Sequence, residues 1–173
     1  MATNLELKAR VHSSADAHAC ARRLGASFEG VLHQRDTYFR VREGRLKLRE
    51  CAGSAAELIY YVREETSPER WSRYERVEVP DPGLLRRMLA GALGTLAVVE
   101  KARSLYMFGK ARIHLDEVEG LGSFLEFEIV EDEPAASLDA MRSLRDAFAL
   151  RDGDLVQGSY SDLMLAKGSE GAS

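Results

Sequence analysis

The stretch ARIHLDEVEGLGSFLEFEIV, residues 111–130, decides how the rest of the chain is read. It divides into two short runs joined by a loop that holds Gly120 and Gly122. Side chains on a strand alternate between faces. Arg112, His114 and Asp116 therefore share one face of the first run, and Ile113 and Leu115 share the other. On the return run Glu126 and Glu128 lie together, opposite Leu125, Phe127 and Ile129. The expectation is a hairpin with one aliphatic side and one side dense in ionisable groups. Two carboxylates at i, i+2 with a third nearby suit a divalent cation held through oxygen. The plainer alternative is a half-buried hairpin whose charged side meets water.

At 173 residues the chain suits one domain, or at most two small ones. A hydrophobic share of 45% and a charged share of 30% are ordinary globular values. The net charge of -4 argues against a general nucleic-acid surface, which needs a basic excess, but leaves room for a local basic pocket. Cys20 and Cys51 have no CxxC spacing and no His neighbours, so they form neither a disulfide framework nor a zinc site. Reduced thiols suggest a cytoplasmic protein. No basic leader followed by an apolar stretch is visible, and no run approaches the eighteen or so apolar residues of a membrane span. No nucleic-acid or membrane partner is expected.

The same alternation recurs along the chain. Residues 4–11 place Leu5, Leu7, Ala9 and Val11 opposite Asn4, Glu6, Lys8 and Arg10. Ser13 or Ser14 caps a following helix, which Gly25 stops. Residues 28–41 read as extended, Glu43-Gly44 as a tight turn, and residues 45–49 as a strand with Arg45, Lys47 and Arg49 on one face. Residues 57–64 form the next strand and carry Arg63, residues 66–69 a loop, and Trp71 sits in a loop-like region. Residues 72–79 alternate with charge on both faces, so their inward face is open. Asp81-Pro82 starts a helix that Gly91 or Gly94 ends. Residues 95–108 are extended and carry the pair Lys101 and Arg103. An acidic loop is expected over 131–137, a helix over 138–150, and a last turn or short helix over 159–165. Residues 168–173 read as a disordered tail after a single domain of residues 1–167.

Eight strands, three helices and hairpin-length connections point to an α+β protein with one large antiparallel sheet. The charges are segregated by strand, with cationic rows at 45–49 and 101–103 and an acidic row at 126 and 128. A solvated face would mix its signs. If the sheet closes into a barrel, these rows converge inside it. Burying so many charges without a ligand is costly. A water-filled cavity that receives a polyanion and its metal relieves that cost.

Several motifs carry a family resemblance. Asn4-Leu5-Glu6-Leu7-Lys8 resembles the Glu-x-Glu-x-Lys motif of the CYTH superfamily, and Gln34-x-Asp36-Thr37-Tyr38-Phe39, residues 44–50, residues 57–61, Lys101-x-Arg103-x-Leu105-Tyr106, residues 113–126 and residues 159–163 match in the same order. The resemblance spans about residues 4–166 and is strongest to the class IV adenylate-cyclase-like branch; the superfamily also holds thiamine triphosphatases. It implies an antiparallel eight-stranded β-barrel tunnel with flanking helices that binds a small-molecule triphosphate (ATP or similar) with Mg²⁺ or Mn²⁺. By position, Glu6, Lys8 and Asp116 become the catalytic candidates. Lys47, Arg49, Lys101 and Arg103 become the phosphate contacts, with Arg63 beside them. Glu6, Glu126 and Glu128 become the metal ligands. Arg45 and Arg112 have the parity to line the tunnel, and Lys167 could reach its mouth. Relatives can dimerise, so a homodimer is compatible with the resemblance.

One departure stands out. The motif begins with Glu, and this chain has Asn4, which removes one negative charge from the site. Asn4 otherwise reads as a strand-end residue in solvent, His114 as structural or tunnel-lining, and Tyr160 as a barrel plug. The expected activity is enzymatic: conversion of ATP to cyclic AMP and pyrophosphate. The alternatives are hydrolysis of a terminal phosphate and non-catalytic polyphosphate binding.

Overall fold

The computed structural model describes residues 2–63, 69–130 and 133–170. Eight antiparallel strands form a closed barrel: β1 (Ala2–Arg10), β2 (Ser27–Phe39), β3 (Arg45–Cys51), β4 (Ala56–Arg63), β5 (Arg70–Val79), β6 (Thr95–Phe108), β7 (Ala111–Val118) and β8 (Gly122–Val130). Around the barrel the order is β1-β5-β4-β3-β2-β6-β7-β8, with β8 pairing back onto β1. Four helices flank it: α1 (Ser14–Arg23), α2 (Pro82–Leu93), α3 (Pro134–Ala147) and α4 (Tyr160–Glu170). None of the helices is long and apolar enough to cross a membrane.

Alternation puts one side of each strand outside, under the helices. Leu5, Leu7, Ile113, Leu115, Leu125, Phe127 and Ile129 pack with Ala17 and Ala21 of α1 and with Met141 and Leu144 of α3. Each large aliphatic side chain fully withdrawn from water contributes about 1.5–3 kcal/mol. This layer thus holds β1, β7 and β8 rigidly behind the charged side of the hairpin. A smaller cluster of Phe39, Leu48, Ala56 and Val79 lies under Leu85 and Leu89 of α2. Ser13 Oγ accepts from the Asp16 amide at 3.2 Å, and Asp81 Oδ1 accepts from the Leu84 amide at 2.9 Å. Both caps follow the expected helix starts. The β2–β3 turn needs Gly44, whose φ is +66° and where an added Cβ would meet Tyr60 Oη and Tyr61 O at 2.8 Å.

Several expectations are corrected. Residues 134–137 are not loop: Pro134 opens α3, where its missing N–H costs nothing. The helix ends at Ala147 because Ala149 takes φ +50°, a stop without a glycine signal. Trp71 lies in β5 opposite Leu5 and packs on the α1/α3 layer. The charges on both faces of β5 are resolved by direction: Ser72, Tyr74, Arg76 and Glu78 point inward. Residues 168–170 continue α4 rather than starting a tail. The expected loop at 66–68, residues 131–132 of the acidic loop and tail residues 171–173 lie outside the described residues.

Candidate functional site: a charged blind tunnel

The barrel encloses a cavity of about 470 Å³. Its wall carries the inward residues of all eight strands, among them Glu6, Lys8, Lys47, Arg49, Arg63, Lys101, Arg103, Arg112, Glu126 and Glu128. The alternation read from the sequence thus brings most of the candidate residues together. Arg45 and Asp116 do not line the cavity. A wider groove runs along the outside of β2 and β6 and is lined largely by Ala, Pro and solvent-facing Glu, a poor match to any polyanion.

The deep part of the cavity has a cationic floor held from beneath by two submerged carboxylates. Asp36 accepts from Arg49 Nε at 2.8 Å and Arg49 Nη2 at 2.7 Å, and from Lys47 Nζ at 3.1 Å; Lys101 Nζ lies 3.6 Å away. Asp116 accepts from Arg103 Nε at 2.7 Å and Nη2 at 2.6 Å, and from the Tyr160 hydroxyl at 2.8 Å. β6 carries Lys101 and Arg103, and it is flanked by β2 with Asp36 and β7 with Asp116. Both anchors are about 1% exposed, so they orient the cations without reaching the cavity. Asp116, expected to be catalytic, thus lies behind the cavity wall, bonded to Arg103 and Tyr160. Asp36 belonged to a quoted motif but was not among the site candidates. Its signal was the Asp at inward parity opposite Arg49.

Burial is resisted by these charges in different ways. Burial pushes the Asp36 and Asp116 carboxyls up, and the cations beside them (Arg49 with Lys47, and Arg103 with Lys101) overrule it, holding both well below the usual carboxylate range. Burial, reinforced by Arg103, lowers the Lys101 ammonium to about 7. Burial and Arg49 lower Lys47 to about 8. Burial and then Arg103 push His114 well below its usual value, so it is a neutral wall residue. The floor therefore holds more cationic groups than its anions neutralise, and two of them are poised to gain protons when an anion arrives.

The acidic wall is formed by β1 and β8, where Glu6 pairs in register with Glu128, and Lys8 with Glu126. Each carboxylate already has a cation. Arg63 lies 3.4 Å from Glu6, Arg103 3.0 Å and Lys8 3.7 Å from Glu126, and Arg112 3.1 Å from Glu128. Burial, followed by the Glu126 charge, raises the Glu6 carboxyl; Lys8 and Arg103 overrule burial at Glu126 and keep it ionised. Among the described residues no group of three Asp, Glu, His or Cys side chains stands ready to hold a metal. The three expected metal ligands share a wall, each beside a cation of the barrel. The donor set nonetheless suits a hard cation. Asn4 is buried, its Nδ2 donates to Glu128 Oε1, and its Oδ1 is a buried oxygen without a hydrogen-bond partner. Asn4 thus belongs to the site and not, as one reading had it, to a frayed strand end.

One end of the tunnel is plugged. Tyr160, at the start of α4, packs edge-on against Phe124, with Lys8 Nζ 3.7 Å and Lys101 Nζ 5.1 Å from its ring centre. Tyr38, Ile59, Tyr61, Val99, Val118 and Val156 complete an apolar cluster around it. Burial and the Arg63 charge act oppositely on the Tyr61 hydroxyl, and burial prevails, raising it to about 12. Arg45 points at this end and bonds Asp162 of α4 at 2.7 Å, so it latches the plug instead of lining the cavity. Lys167 donates to the Gly120 carbonyl outside the barrel and does not reach the tunnel. Tyr160 is the plug the sequence suggested, while the latch was not legible before α4 was placed.

Comparison with known proteins agrees with this architecture. Residues 2–160 match the CYTH domain family. The adenylate cyclase CyaB of Aeromonas hydrophila is 29% identical over 175 residues, covering 92% of this chain and 87% of that protein. The PH1012 protein of Pyrococcus horikoshii OT3 superposes with a TM-score of 0.85 at 24% identity, covering 92% of this chain and 98% of that one. HpAC1 of Hippeastrum, a proposed adenylyl cyclase with a dominant triphosphatase activity, superposes with a TM-score of 0.63 at 15% identity, over 86% of this chain and 88% of that one. At such identities the two structures speak for the fold alone.

Proposed function

The chain belongs to the CYTH domain family, and from that premise we propose that it binds an organic triphosphate inside the barrel and acts on it at phosphorus. The observation that carries the reading is the floor of Lys47, Arg49, Lys101 and Arg103, oriented from below by Asp36 and Asp116 and facing an acidic wall across a closed tunnel. Preset cations stabilise charge that develops on a departing phosphate without reorganising at the moment of reaction.

The first activity to expect is cyclisation of ATP, in keeping with the cyclase relative that aligns over most of the chain. The 3′-oxygen forms a bond to the α-phosphorus, the bond from that phosphorus to the bridging oxygen breaks, pyrophosphate leaves, and the hydroxyl proton passes to solvent. Lys101, Arg103, Lys47 and Arg49 bind the departing pyrophosphate, Lys8 and Arg63 add positive charge beside it, and Arg112 neutralises Glu128 nearer the opening. Glu6, Glu126 and Glu128, with Asn4 Oδ1, would hold Mg²⁺ or Mn²⁺. That cation, when bound, supplies Lewis acidity and offsets phosphate charge.

Asn4 favours a second activity. With one carboxylate fewer than the family motif, the wall holds less negative charge for the cation that cyclisation needs, while the cationic floor that would bind a triphosphate for hydrolysis of its terminal phosphate is intact. Incubation with ATP and Mg²⁺ or Mn²⁺, followed by separation of products, distinguishes the two: cyclic AMP with pyrophosphate, or ADP with orthophosphate. Tight binding of triphosphates without any product would overturn both activities and leave a binding module.

A further inference from the structure

We propose that the tunnel takes a divalent cation only together with a triphosphate, as a one-to-one complex, and that Asn4 sets this dependence. This rests on the reading of the tunnel as a triphosphate site. Three observations carry it.

First, the acidic wall is already neutralised from within the barrel. Glu6, Glu126 and Glu128 are answered one for one by Arg63, Lys8 and Arg112, at 3.4, 3.7 and 3.1 Å, and Arg103 adds a second contact to Glu126 at 3.0 Å. A free cation that approaches this wall meets no net negative charge, and it must break an ion pair for each ligand it gains. Parting a buried charge from its partner is costly unless that partner finds another counter-ion. Phosphate oxygens are such counter-ions for Lys and Arg. A triphosphate therefore draws the cations off the wall and frees the carboxylates, which a metal ion by itself does not.

Second, the floor behind the wall repels a lone cation. Lys47, Arg49, Lys101 and Arg103 stand over Asp36 and Asp116, an excess of two positive charges when every group is ionised. Arg76, paired with Glu57 at 3.2 Å, and Glu78 are exposed at the opening, where solvent and salt screen them. An ionised organic triphosphate carries about four negative charges, and its complex with one divalent cation about two. That complex matches the floor, whereas a second divalent cation would restore the excess.

Third, Asn4 withholds the charge that could hold a cation in advance. It is 2% exposed, and its Nδ2 donates to Glu128 Oε1, the same oxygen that accepts from Arg112 at 3.1 Å. The amide thus occupies a carboxylate oxygen that a metal ion would use. What it offers in return is Oδ1, buried and without a hydrogen-bond partner but neutral. An acid at this position would give the wall a net negative charge before any phosphate arrives.

The test is equilibrium dialysis against Mn²⁺, reading the metal and the phosphorus retained by the protein. The probe is inorganic tripolyphosphate with methylene groups in place of its bridging oxygens, which cannot be cleaved. The unsubstituted protein should hold Mn²⁺ at least about tenfold more weakly alone than with the probe, and then one Mn²⁺ per probe. Asn4→Glu should raise the affinity for Mn²⁺ alone by about tenfold or more. Arg112→Gln, at a half-buried position, removes a cation from the wall and should act in the same direction, so the proposal stays testable if Asn4→Glu does not fold. Equal Mn²⁺ affinity with and without the probe, two Mn²⁺ per bound probe, or no gain in the folded variants overturns the proposal while leaving the tunnel reading intact. Failure of the unsubstituted protein to retain the probe, with or without Mn²⁺, overturns the tunnel reading itself, and the proposal with it.

Discussion

Replacing Lys101 by Arg should change how many protons accompany triphosphate binding, and the size of the change follows from the electrostatics of the floor. In the free protein the Lys101 ammonium sits at about 7 and Lys47 at about 8. At pH 8 roughly one tenth of Lys101 and roughly half of Lys47 are protonated, since each pKa unit is a factor of ten. A triphosphate brought against both groups returns them toward ordinary lysine values, so binding takes up roughly 0.9 proton at Lys101 and roughly 0.5 at Lys47. At pH 8 the ligand is itself fully ionised and releases little, because a terminal phosphate titrates near 6. The cost of charging Lys101 first, one unit above its pKa, is about 1.4 kcal/mol, or about tenfold in affinity. Both residues are at most 9% exposed, so solvent screening does little to blunt the figure. Calorimetry of tripolyphosphate binding at pH 8 in two buffers of different ionisation enthalpy measures the uptake directly. An Arg at position 101 is charged already, so the variant should lose most of the larger share and keep the Lys47 share. Identical uptake in the variant and the parent, or a binding heat independent of buffer in the parent, would refute the account of the floor.

Four further outcomes are expected. Asp116→Asn should lower the melting temperature and cost about 3–5 kcal/mol in denaturant unfolding, because it strips a buried partner from Arg103. Gly44→Ala should cost about 1–3 kcal/mol by urea titration, as φ is +66° and the new methyl meets Tyr60 and the Tyr61 carbonyl; an unchanged midpoint would contradict the turn geometry. Asp36, Asp116 and Glu126 have depressed carboxyls in the folded state, so their contribution is complete above the unfolded value of about 4 and declines as pH falls below it; thermal melts between pH 5 and pH 2 should show the loss. Asn4→Asp, finally, places a second carboxylate against Glu128 and should make the melting temperature rise more on addition of Mn²⁺ than it does in the parent.

Much of this is legible in the sequence itself. Strict alternation at residues 4–10, 45–49 and 111–129 fixes which side chains point inward, and the segregation of Lys and Arg from Glu by strand implies that the inward faces meet. What alternation cannot supply is depth. Asp116 and Arg103 share an inward parity, yet the longer Arg reaches the cavity while the short Asp stays beneath it, and only the register of β6 against β7 reveals this. Arg45 likewise has tunnel parity but lies at the plugged end, where α4 brings Asp162 to it. Asp36 went unchosen because a lone acid among cations reads as one more charge until its four donors are seen around it. The start of α3 was missed for a local reason, since Pro134 punctuates a loop and opens a helix with the same residue.

The way β1 closes the barrel has a bearing on how the protein is made. β1 is hydrogen-bonded to β5 on one side and β8 on the other, joining residue 5 to residues 71 and 129. Most other neighbours are hairpins that form from adjacent segments, with β2 and β6 the exception. On the ribosome the first strand emerges before any partner exists, and its second edge stays unsatisfied until the last strand is complete. Contacts of such sequence separation make folding slow. Glu6 and Lys8 ride on that strand, so the acidic wall they share with Glu126 and Glu128 is assembled only at the moment of closure, after the cationic floor of β3 and β6 has its neighbours.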